Sequence, residues 1–500
     1  MSVRFYDAPR LRKSRLVLHS QANRLTHSTG KDEAMRHTLS WITGLATGAV
    51  LLAACDGSSG IDSASTAGKS GNSGVSGSGG SGSGNWTPSP SSDVCSGKGP
   101  IVTIPATTVT GSYQTCTGRI AESHFSNALC TCENANVAGY LRSRAFDSKK
   151  GTSVDLGGSV GINQTYVTAG FADVGGALSI AGSDSLSFAG YLKTGGDLRV
   201  GGKTMVAGYT EVGRDLWIAN GYTDLGPLTV HRDLHGTGPV MAIPLTVQGK
   251  KIPDGVTIAP PCPCEAKDII NVDGLVAEAK TNNDDAKYTI DPSMLNVLIG
   301  NIEVTLPCGK IYFEQIGGIG NVIVNVTGRV AVFVGGSVAN TGNLEFRLAA
   351  GAEIDLFISG DLAVTGRALF GEKDRPAASR IYVGGSGNVF LTGYTEFVGN
   401  LYAPHSLVQG IGFENVYGSI FADMFVSPGF ANFAYDAAIM TVGDTCDTPP
   451  PPPNTCSQCG TCTGGTACVN GKCGACASDA DCCSQLICSN GKCIEQGVIY

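Results

Sequence analysis

The sequence predicts an all-β protein: a parallel β-helix of about 18–20 residues per coil with a partly helical insert, followed by a small disulfide-rich C-terminal module. Three observations support this prediction. Short phrases such as "GGDLRV" recur at a nearly constant spacing. Glycine accounts for 70 of the 500 residues without the Gly-X-Y period of collagen. Ten of the 19 cysteines lie between Cys456 and Cys493.

The N-terminus has the pattern of an export signal. Residues 35–54 begin with basic residues, continue as an uncharged apolar run too short to span a membrane comfortably, and end before Cys55. "LAAC" (Leu52–Cys55) resembles the lipobox of bacterial lipoproteins, which implies that Cys55 is acylated. We expect Met35 to be the translation start and residues 1–34 to be a mis-assigned start. An ordinary cleaved signal peptide is the alternative.

The mature chain is expected to be acidic and tethered. Residues 1–54 hold 8 of the 34 Lys+Arg and 3 of the 42 Asp+Glu, so 26 basic and 39 acidic residues remain, a net charge of −13. No basic block is present, so nucleic acid is not expected as a partner. Residues 55–93 are rich in Gly and Ser and should form a flexible tether. The membrane is therefore expected to be contacted through the lipid on Cys55.

The body, residues 94–446, contains the repeat. The central residues of five successive phrases are 18, 20, 18 and 18 positions apart: Ser159, Ala177, Asp197, Asp215 and Asp233. A fixed period near 20 without room for a helix predicts coils of three short strands, stacked at about 4.8 Å. Alternation within the phrases places Leu198, Val200, Leu216, Ile218 and Leu234 inside the coils. Arg199, Trp217 and His235 are then outside, on successive coils.

The repeat stops and later returns. "GYTEFVGNLYAP" (Gly393–Pro404) nearly repeats "GYTEVGRDLWIA" (Gly208–Ala219). The insert between the two blocks, about residues 239–310, has helical spacing at Ile269, Val272, Val276 and Ala279. We expect residues 150–236 and 311–440 to form one continuous β-helix, with the insert packed outside and stapled by the cysteines that bracket it.

The second block resembles a known family. "IYFEQIGGIGNVIVNVTGRVAVFVGGSV", "EIDLFISGDLAVTG", "GNLYAPHS" and "VYGSIFA…ANFAYDAAI" are similar to an uncharacterised β-helical domain of bacterial lipoproteins and pilus-associated surface proteins. The resemblance covers roughly 250–445 and implies a closing Tyr-Asp pair, here Tyr435–Asp436. The residue before that pair is commonly His, whereas here it is Ala434, so any role of that His is absent. The regular coils also resemble bactofilins, which are polymer-forming β-helix proteins.

The tail is expected to be held by disulfides. Residues 447–455 form a Pro-rich spacer, and residues 456–500 carry too few apolar residues for a core. "CASDADCCSQLICSNGKC" resembles the dickkopf-type cysteine-rich motif, and "CVNGKC" repeats its last hairpin with an Asn-Gly turn. Apart from Cys55, an even number remains in each region, as full pairing in an oxidising compartment requires. The cysteines expected to form disulfides are Cys95, Cys116, Cys130, Cys132, Cys262, Cys264, Cys308, Cys446, Cys456, Cys459, Cys462, Cys468, Cys473, Cys476, Cys482, Cys483, Cys488 and Cys493.

No pattern indicates catalysis, so we expect no enzyme, no cofactor and no metal. Asp197, Asp215 and Asp233 would stack at corners, where Asp typically caps turn amides; a sugar contact, a calcium site or catalysis by paired carboxylates are alternatives. His231 and His235 lie four apart on a strand rather than a helix, which disfavours zinc. "GGIGN" leads into a strand, so it is not a dinucleotide motif.

These observations predict a lipid-anchored β-helix protein of the cell envelope with a structural, adhesive or ligand-binding role. The outer membrane or cell surface is favoured, and the periplasmic face of the inner membrane is the other location. Arg199, Trp217 and His235 are the predicted binding residues, for a cell-surface polysaccharide or an envelope protein. Cover by the insert or by an N-terminal cap is the alternative. The rival functions are an enzyme acting on an extracellular polysaccharide and a scaffold that polymerises end to end.

Overall fold

The structure is a computed structural model. It describes residues 121, 123–392, 395–411 and 413–441, together with the short segments 85–86, 103–104, 115–116, 467–469, 472–476, 478, 481–482, 486–489 and 492–495. The predicted signal peptide, Cys55, most of the predicted tether and the Pro-rich spacer lie outside the described residues.

The described elements are almost all short strands. The N-terminal region has β1 (Asn85–Trp86), β2 (Thr103–Ile104) and β3 (Thr115–Cys116). The N-terminal coils have β4 (Leu129–Thr131), β5 (Ala135–Val137), β6 (Tyr140–Asp147), β7 (Thr152–Val154), β8 (Val160–Ile162), β9 (Tyr166–Val174), β10 (Leu178–Ile180), β11 (Leu186–Thr194), β12 (Leu198–Val200), β13 (Lys203–Val212), β14 (Leu216–Ile218), β15 (Gly221–Asp224), β16 (Leu228–Val230), β17 (Leu234–His235), β18 (Val240–Met241), β19 (Leu245–Val247) and β20 (Lys251–Ile252).

Two helices separate these coils from a second set: α1 (Val272–Ala279) and α2 (Asp285–Tyr288). The C-terminal coils have β21 (Asn296–Ile299), β22 (Ile302–Leu306), β23 (Gly309–Phe313), β24 (Ile316–Ile319), β25 (Val322–Val326), β26 (Arg329–Val334), β27 (Val338–Thr341), β28 (Leu344–Leu348), β29 (Glu353–Ile358), β30 (Leu362–Thr365), β31 (Ala368–Phe370), β32 (Ser379–Val383), β33 (Val389–Thr392), β34 (Thr395–Ile411), β35 (Phe413–Ser427) and β36 (Phe430–Asp436). Two 3-10 turns, η1 (Pro376–Ala378) and η2 (Ala437–Thr441), complete this set.

The coils stack into one parallel β-solenoid of about 13 turns, which confirms the predicted fold class. Each coil contributes one strand to each of three faces. Face A is the longest series, and its strands follow one another in the order β23, β26, β29, β32, β34, β35, β4, β8, β10, β12, β14, β17, β20. Face B contains, in stacking order, β24, β27, β30, β33, β34, β35, β5, β9 and β11. Face C contains β25, β28, β31, β34, β35, β36, β6, β9 and β11. A long strand such as β11 bends at a corner and serves both faces.

The stacking order differs from the order of the sequence. The last C-terminal coil pairs in parallel with the first N-terminal coil: Ile420 lies opposite Leu129, and Phe433 opposite Ser143. The solenoid therefore starts at residue 296, runs to 436, continues at 129 and ends at 252. We call this join the junction. The six coils before it form the leading arm, and the seven after it form the trailing arm.

The segment outside the coils is residues 253–295, which we call the strap. It is shorter than the predicted insert of 239–310, because β18, β19 and β20 complete a last coil and β21, β22 and β23 begin the first one. The strap connects the two far ends of the solenoid along face A. Its contacts follow the coils in order: Asp254 meets His235 in the trailing arm, and Asp284 meets Lys310 in the first coil of the leading arm.

The strap carries the helix that the sequence predicts. Asn271 caps α1 by accepting a hydrogen bond from the Gly274 amide at 3.0 Å. The buried side of α1 consists of Val272, Leu275, Val276 and Ala279, while Ile269 precedes the helix. This side packs on face A of the leading arm, which agrees with the prediction of an insert packed outside the coils.

The interior contains apolar columns. Leu198, Leu216 and Leu234 lie opposite one another on successive coils, and the first two are completely buried. The Val200–Ile218 pair continues beside them. The inward residues predicted by alternation are therefore confirmed.

The tail contributes two antiparallel hairpins: β37 (Ala467–Val469) pairs with β38 (Lys472–Gly474), and β39 (Leu486–Ser489) with β40 (Lys492–Glu495). In the described part of the chain, no helix has both the length and the apolar character needed to cross a membrane.

Candidate functional site

The repeated Asp residues form a hydrogen-bonded ladder at one corner of the trailing arm. Asp197 Oδ1 accepts the Asp215 amide at 3.2 Å, and Asp215 Oδ1 accepts the Asp233 amide at 2.9 Å. Asp233 Oδ1 in turn accepts the Lys250 amide at 2.7 Å. Each carboxylate thus joins its coil to the next one, as the capping hypothesis predicts.

The same corner offers one set of metal-ligating atoms. Asp215, Asp233 and His235 each place a donor within 4.8 Å of the others. One oxygen of each carboxylate already accepts a backbone amide, and the Arg232 Nε lies 3.7 Å from Asp215. A cationic side chain beside the donors disfavours a second cation there. A second set among the described residues is Cys476, Cys482 and Cys493, but all three sulfurs are in disulfides.

The predicted binding residues do lie together on the outside of face A. Arg199 is opposite Trp217, and Trp217 is opposite His235. The indole and imidazole rings are stacked, with centroids 3.7 Å apart and an interplanar angle of 5°. His235 Nδ1 lies 3.2 Å from Asp254 of the strap, and Arg199 pairs with Asp197 at 3.1 Å. One face of the indole is therefore covered, and its Nε1 is buried with no hydrogen-bond partner among the described residues.

Binding at this position stays a prediction with a direct test. Trp217 lies outside the coil wall, so Trp217→Ala should leave the inner columns intact and lower the free energy of unfolding by only about 1 kcal/mol, the value of an aromatic pair. If Trp217 also contacts a ligand, affinity should fall by about 2 kcal/mol. Thermal melting and polysaccharide binding of the variant separate the two roles. A large loss of stability with unchanged binding would show that Trp217 only packs under the strap.

A continuous aromatic ladder lies farther along face A, under the strap. Tyr312, Phe333, Phe357, Tyr382, Tyr402 and Phe421 occupy the equivalent outward position on successive coils. Phe333 and Phe357 are stacked at 5.1 Å, and Phe357 and Tyr382 at 4.7 Å. The Tyr402 hydroxyl accepts the Ile270 amide of the strap at 3.0 Å. This ladder is buried and joins the strap to the coils.

Two disulfides fix the strap at the junction. Cys130 of β4 is bonded to Cys262, and Cys132 to Cys264. In the tail, Cys476 is bonded to Cys488 and Cys482 to Cys493. Cys308, Cys468 and Cys473 are also disulfide-bonded. The side chains of the other seven cysteines predicted to pair lie outside the described residues.

Tyr435 and Asp436, the pair implied by the family resemblance, hold the junction together. The Tyr435 hydroxyl donates to the Phe125 carbonyl at 2.8 Å. Asp436 is completely buried and accepts three backbone amides, from Ser148, Ala377 and Ala438, at 2.9–3.2 Å. The three amides belong to three separate segments, so the carboxylate is a structural link between the two arms.

A buried ion pair lies close to Asp436 in the leading arm. Arg380 is fully buried and donates from Nε to Asp355 at 2.5 Å and from Nη2 to Glu353 at 3.1 Å. Burial alone would lower the pKa of Arg380, but the two carboxylates outweigh it and raise that pKa, so the guanidinium stays charged. The guanidinium thus links β32 to the carboxylates of β29 on the adjacent coil.

A second aromatic series lies on the outer surface of the coils, and it is not among the residues predicted from the sequence. Phe430, Tyr140, Phe171, Tyr191 and Tyr209 occupy one outward position on five successive coils across the junction, at the start of face C. Neighbouring ring centroids are 5.1–6.3 Å apart. Phe171 is 56% exposed and Phe430 49% exposed. We call these five residues the aromatic stripe.

The signal for this stripe is visible in the sequence. "AGF" (Ala169–Phe171), "AGY" (Ala189–Tyr191) and "AGY" (Ala207–Tyr209) recur in step with the 18–20 residue period. From the sequence alone, this recurrence indicates only the coil repeat. Gly170 and Gly190 have φ of 132° and 137° and let the chain turn at this corner. The alternation along each strand then places Phe171 and Tyr191 on the same outward side as Ala169 and Ala189.

A charged row borders the stripe two residues further along each strand. Asp173, Lys193 and Glu211 lie opposite one another on successive coils. Tyr191 donates to Glu211 at 3.0 Å, and Lys193 pairs with Glu211 at 3.2 Å. Burial, followed by the hydrogen bond to Glu211, raises the pKa of Tyr191 to about 12. Burial would raise the pKa of Glu211, but hydrogen bonds from Tyr191, Lys193 and His231 outweigh it and lower that pKa. Glu211 is therefore ionised near neutral pH, and the row offers both hydrogen-bond donors and acceptors.

Comparison with known proteins gives a family match over part of the chain. No curated protein and no solved structure matched the sequence. Residues 264–442 match the model of a domain of unknown function, DUF7305. The matched range takes in most of the strap and the whole leading arm, and it overlaps the region of the family resemblance. The trailing arm, with Trp217 and most of the aromatic stripe, lies outside it, so this chain combines a DUF7305-like segment with further coils of the same solenoid.

Proposed function

We propose that the protein is an exported, lipid-anchored component of the cell envelope with a structural or adhesive role. The observation that carries this proposal is the junction. The two chain ends of the described solenoid segment lie there: Tyr435 meets Phe125, and Lys149 Nζ donates to the Thr441 carbonyl at 2.7 Å. A tether before residue 121 and a tail after residue 441 would both leave from the middle of the solenoid, so face C of both arms would remain open to partners.

Disulfides support the proposed location. The bonded cysteines fix the strap and the tail hairpins, and such bonds persist in oxidising compartments outside the cytoplasm. They also suit an adhesive protein, because the Cys130–Cys262 and Cys132–Cys264 bonds tie the junction to a segment 132 residues away.

An enzyme acting on polysaccharide is the second candidate function. The hydrogen-bonded ladder of Asp residues at the corner of the trailing arm would have to supply its catalytic carboxylates. General acid–base hydrolysis needs two carboxylates with free oxygens across a cleft. Asp197, Asp215 and Asp233 instead engage backbone amides of the next coil. The structural role therefore has more support than the catalytic one at these residues.

The end-to-end polymer is the third candidate. At the leading end, Asp284 and Asp285 accept the edge amides of Lys310 and Tyr312 on β23, and β1 pairs with β22. Such covers block strand-to-strand association. This favours a closed leading end over an open polymer.

We predict that Cys55 is acylated and that Met35 starts translation. Intact-mass analysis of the membrane fraction should give a chain beginning at acylated Cys55, and Cys55→Ser should release the protein into the soluble fraction. Surface labelling of intact cells then tests exposure. An unmodified Cys55, or peptides from residues 1–34 in the purified protein, would contradict the proposed anchor.

A further inference from the structure

The two aromatic ladders of this solenoid differ in their exposure to solvent. Every ring of the ladder under the strap is buried, from Tyr312 to Phe421. In the aromatic stripe, Phe171 is tilted by 68° against Tyr140 and by 52° against Tyr191, whereas Tyr191 and Tyr209 are stacked at 1°. A tilted ring leaves part of its face uncovered, and Phe171 is more than half exposed.

The aromatic residue itself is the repeated feature of the stripe: Phe171 and Phe430 are exposed, and Tyr140, Tyr191 and Tyr209 are half-buried. A large aromatic residue occupies the position on five successive coils, whereas the coil wall there requires only an outward side chain. Leaving apolar surface in water costs about 25 cal/mol per Å² relative to burying it. Contiguous exposed apolar patches on a folded protein usually mark a binding surface.

The surroundings of the stripe indicate what it would bind. It is one residue wide, with the small side chains of Ala169, Ala189 and Ala207 on one side and the charged row on the other. A membrane surface would need a broad apolar face without the charges of Asp173 and Lys193. A peptide added as a strand would need a free strand edge, but the strands that carry the stripe from β36 to β13 are paired on both sides.

A linear polymer of repeating units matches the stripe. Contacts recur once per coil, at about the strand spacing of 4.8 Å. A pyranose ring offers an apolar C–H face to an aromatic ring and hydroxyls to neighbouring charged groups. The charged row has both signs and is largely paired, as in Lys193–Glu211 and Arg144–Asp173. This balance favours a neutral chain over a polyanion.

We propose that the aromatic stripe binds an extended, neutral polysaccharide along the axis of the solenoid, with Phe171 and Tyr191 as the central contacts and Asp173, Lys193 and Glu211 as partners of the sugar hydroxyls. This inference deepens the adhesive role proposed above by naming a site and a ligand class. It does not depend on the lipid anchor.

The test is affinity gel electrophoresis of the exported full-length protein carrying Cys55→Ser. The gels contain one soluble neutral polysaccharide each: hydroxyethyl cellulose, xyloglucan, galactomannan or dextran. We expect at least one of them to retard the protein. Phe171→Ala and Tyr191→Ala should each weaken the dissociation constant on the order of tenfold, and the double variant should lose most of the retardation.

Matched variants make the result specific. Met205→Ala removes an equally apolar side chain that is 63% exposed and lies outside the stripe, so it should bind as the unchanged protein does. Phe171→Tyr keeps a ring and should retain binding. Melting temperatures verify that all variants fold.

Three outcomes would overturn the proposal. The first is absence of retardation by all four polysaccharides. The second is retardation that persists in a folded Phe171→Ala/Tyr191→Ala protein. The third is binding of neutral phosphatidylcholine vesicles that the same double variant abolishes, which would make the stripe a lipid contact. A failed anchor at Cys55 would leave the gel result unchanged, so the two proposals fail independently.

Discussion

Leu216→Asp is expected to unfold the solenoid. Leu216 is completely buried between Leu198 and Leu234 of the adjacent coils, so a carboxylate there would have no partner and no water. The free energy of unfolding should fall by more than about 4 kcal/mol, in the range that is exceptional for single substitutions. Circular dichroism and urea denaturation measure this loss.

The control for Leu216→Asp is Met205→Asp, which places the same charge on an exposed outward position of the neighbouring face. That variant should melt close to the unchanged protein. A soluble, cooperatively folded Leu216→Asp protein would mean that the columns of the trailing arm do not point inward as described.

Gly190→Ala is expected to have the second large effect. Gly190 has φ of 137°, and a Cβ there would overlap the carbonyl oxygen of Gly170 on the coil below. The backbone strain alone costs about 1–3 kcal/mol, and the overlap forces two coils apart because neither atom belongs to a flexible side chain. We expect a fall in melting temperature that greatly exceeds that of a surface substitution.

Gly255→Ala is the matched glycine variant. A Cβ at Gly255, in the strap, meets nothing within 4 Å. It should be neutral or slightly stabilising, because alanine restricts the unfolded chain. Equal melting temperatures for Gly190→Ala and Gly255→Ala would contradict the close stacking of glycines at the corner between faces B and C.

The coils could be predicted from the sequence because short sequence patterns determine them. Alternation around Leu198 and Leu216 determines which side chains point inward, and the Asp corners recur with the coil length. The coils at Leu129–Thr131 and Lys251–Ile252 were not predicted, because neither strand is part of the Gly/Arg-x-apolar phrase that marks the other coils.

The stacking order could not be predicted. Strands β36 and β6 have the same outward and inward alternation as any other pair of stacked strands. The sequence of either strand therefore does not specify which strand it pairs with. The same limit applies to the disulfides, since cysteine spacing does not specify partners. Only the spatial arrangement shows that Cys262 and Cys264 reach the junction.

The sequence predicts an outward aromatic binding residue but places it at a different position from the exposed aromatic stripe. Trp217 is a rare residue on an outward position, and it does lie outside the coils. It is stacked on His235 and therefore partly covered. The aromatic stripe consists of common residues, so it stands out only when the coils are aligned in space. Exposure depends on where the strap runs, and the strap covers face A and leaves face C open.

The central claim is that the C-terminal coils precede the N-terminal coils in one solenoid. Asn136 and Val426 lie opposite each other on outward positions of β5 and β35 across the junction. Paired strands are about 4.8 Å apart, within the range that a disulfide bridges. We predict that Asn136→Cys/Val426→Cys forms a bond in the exported protein, detected by non-reducing peptide mapping, and that Lys250→Cys/Lys310→Cys does not. A bond between positions 250 and 310 without one between 136 and 426 would show that the coils stack in sequence order and would contradict the junction.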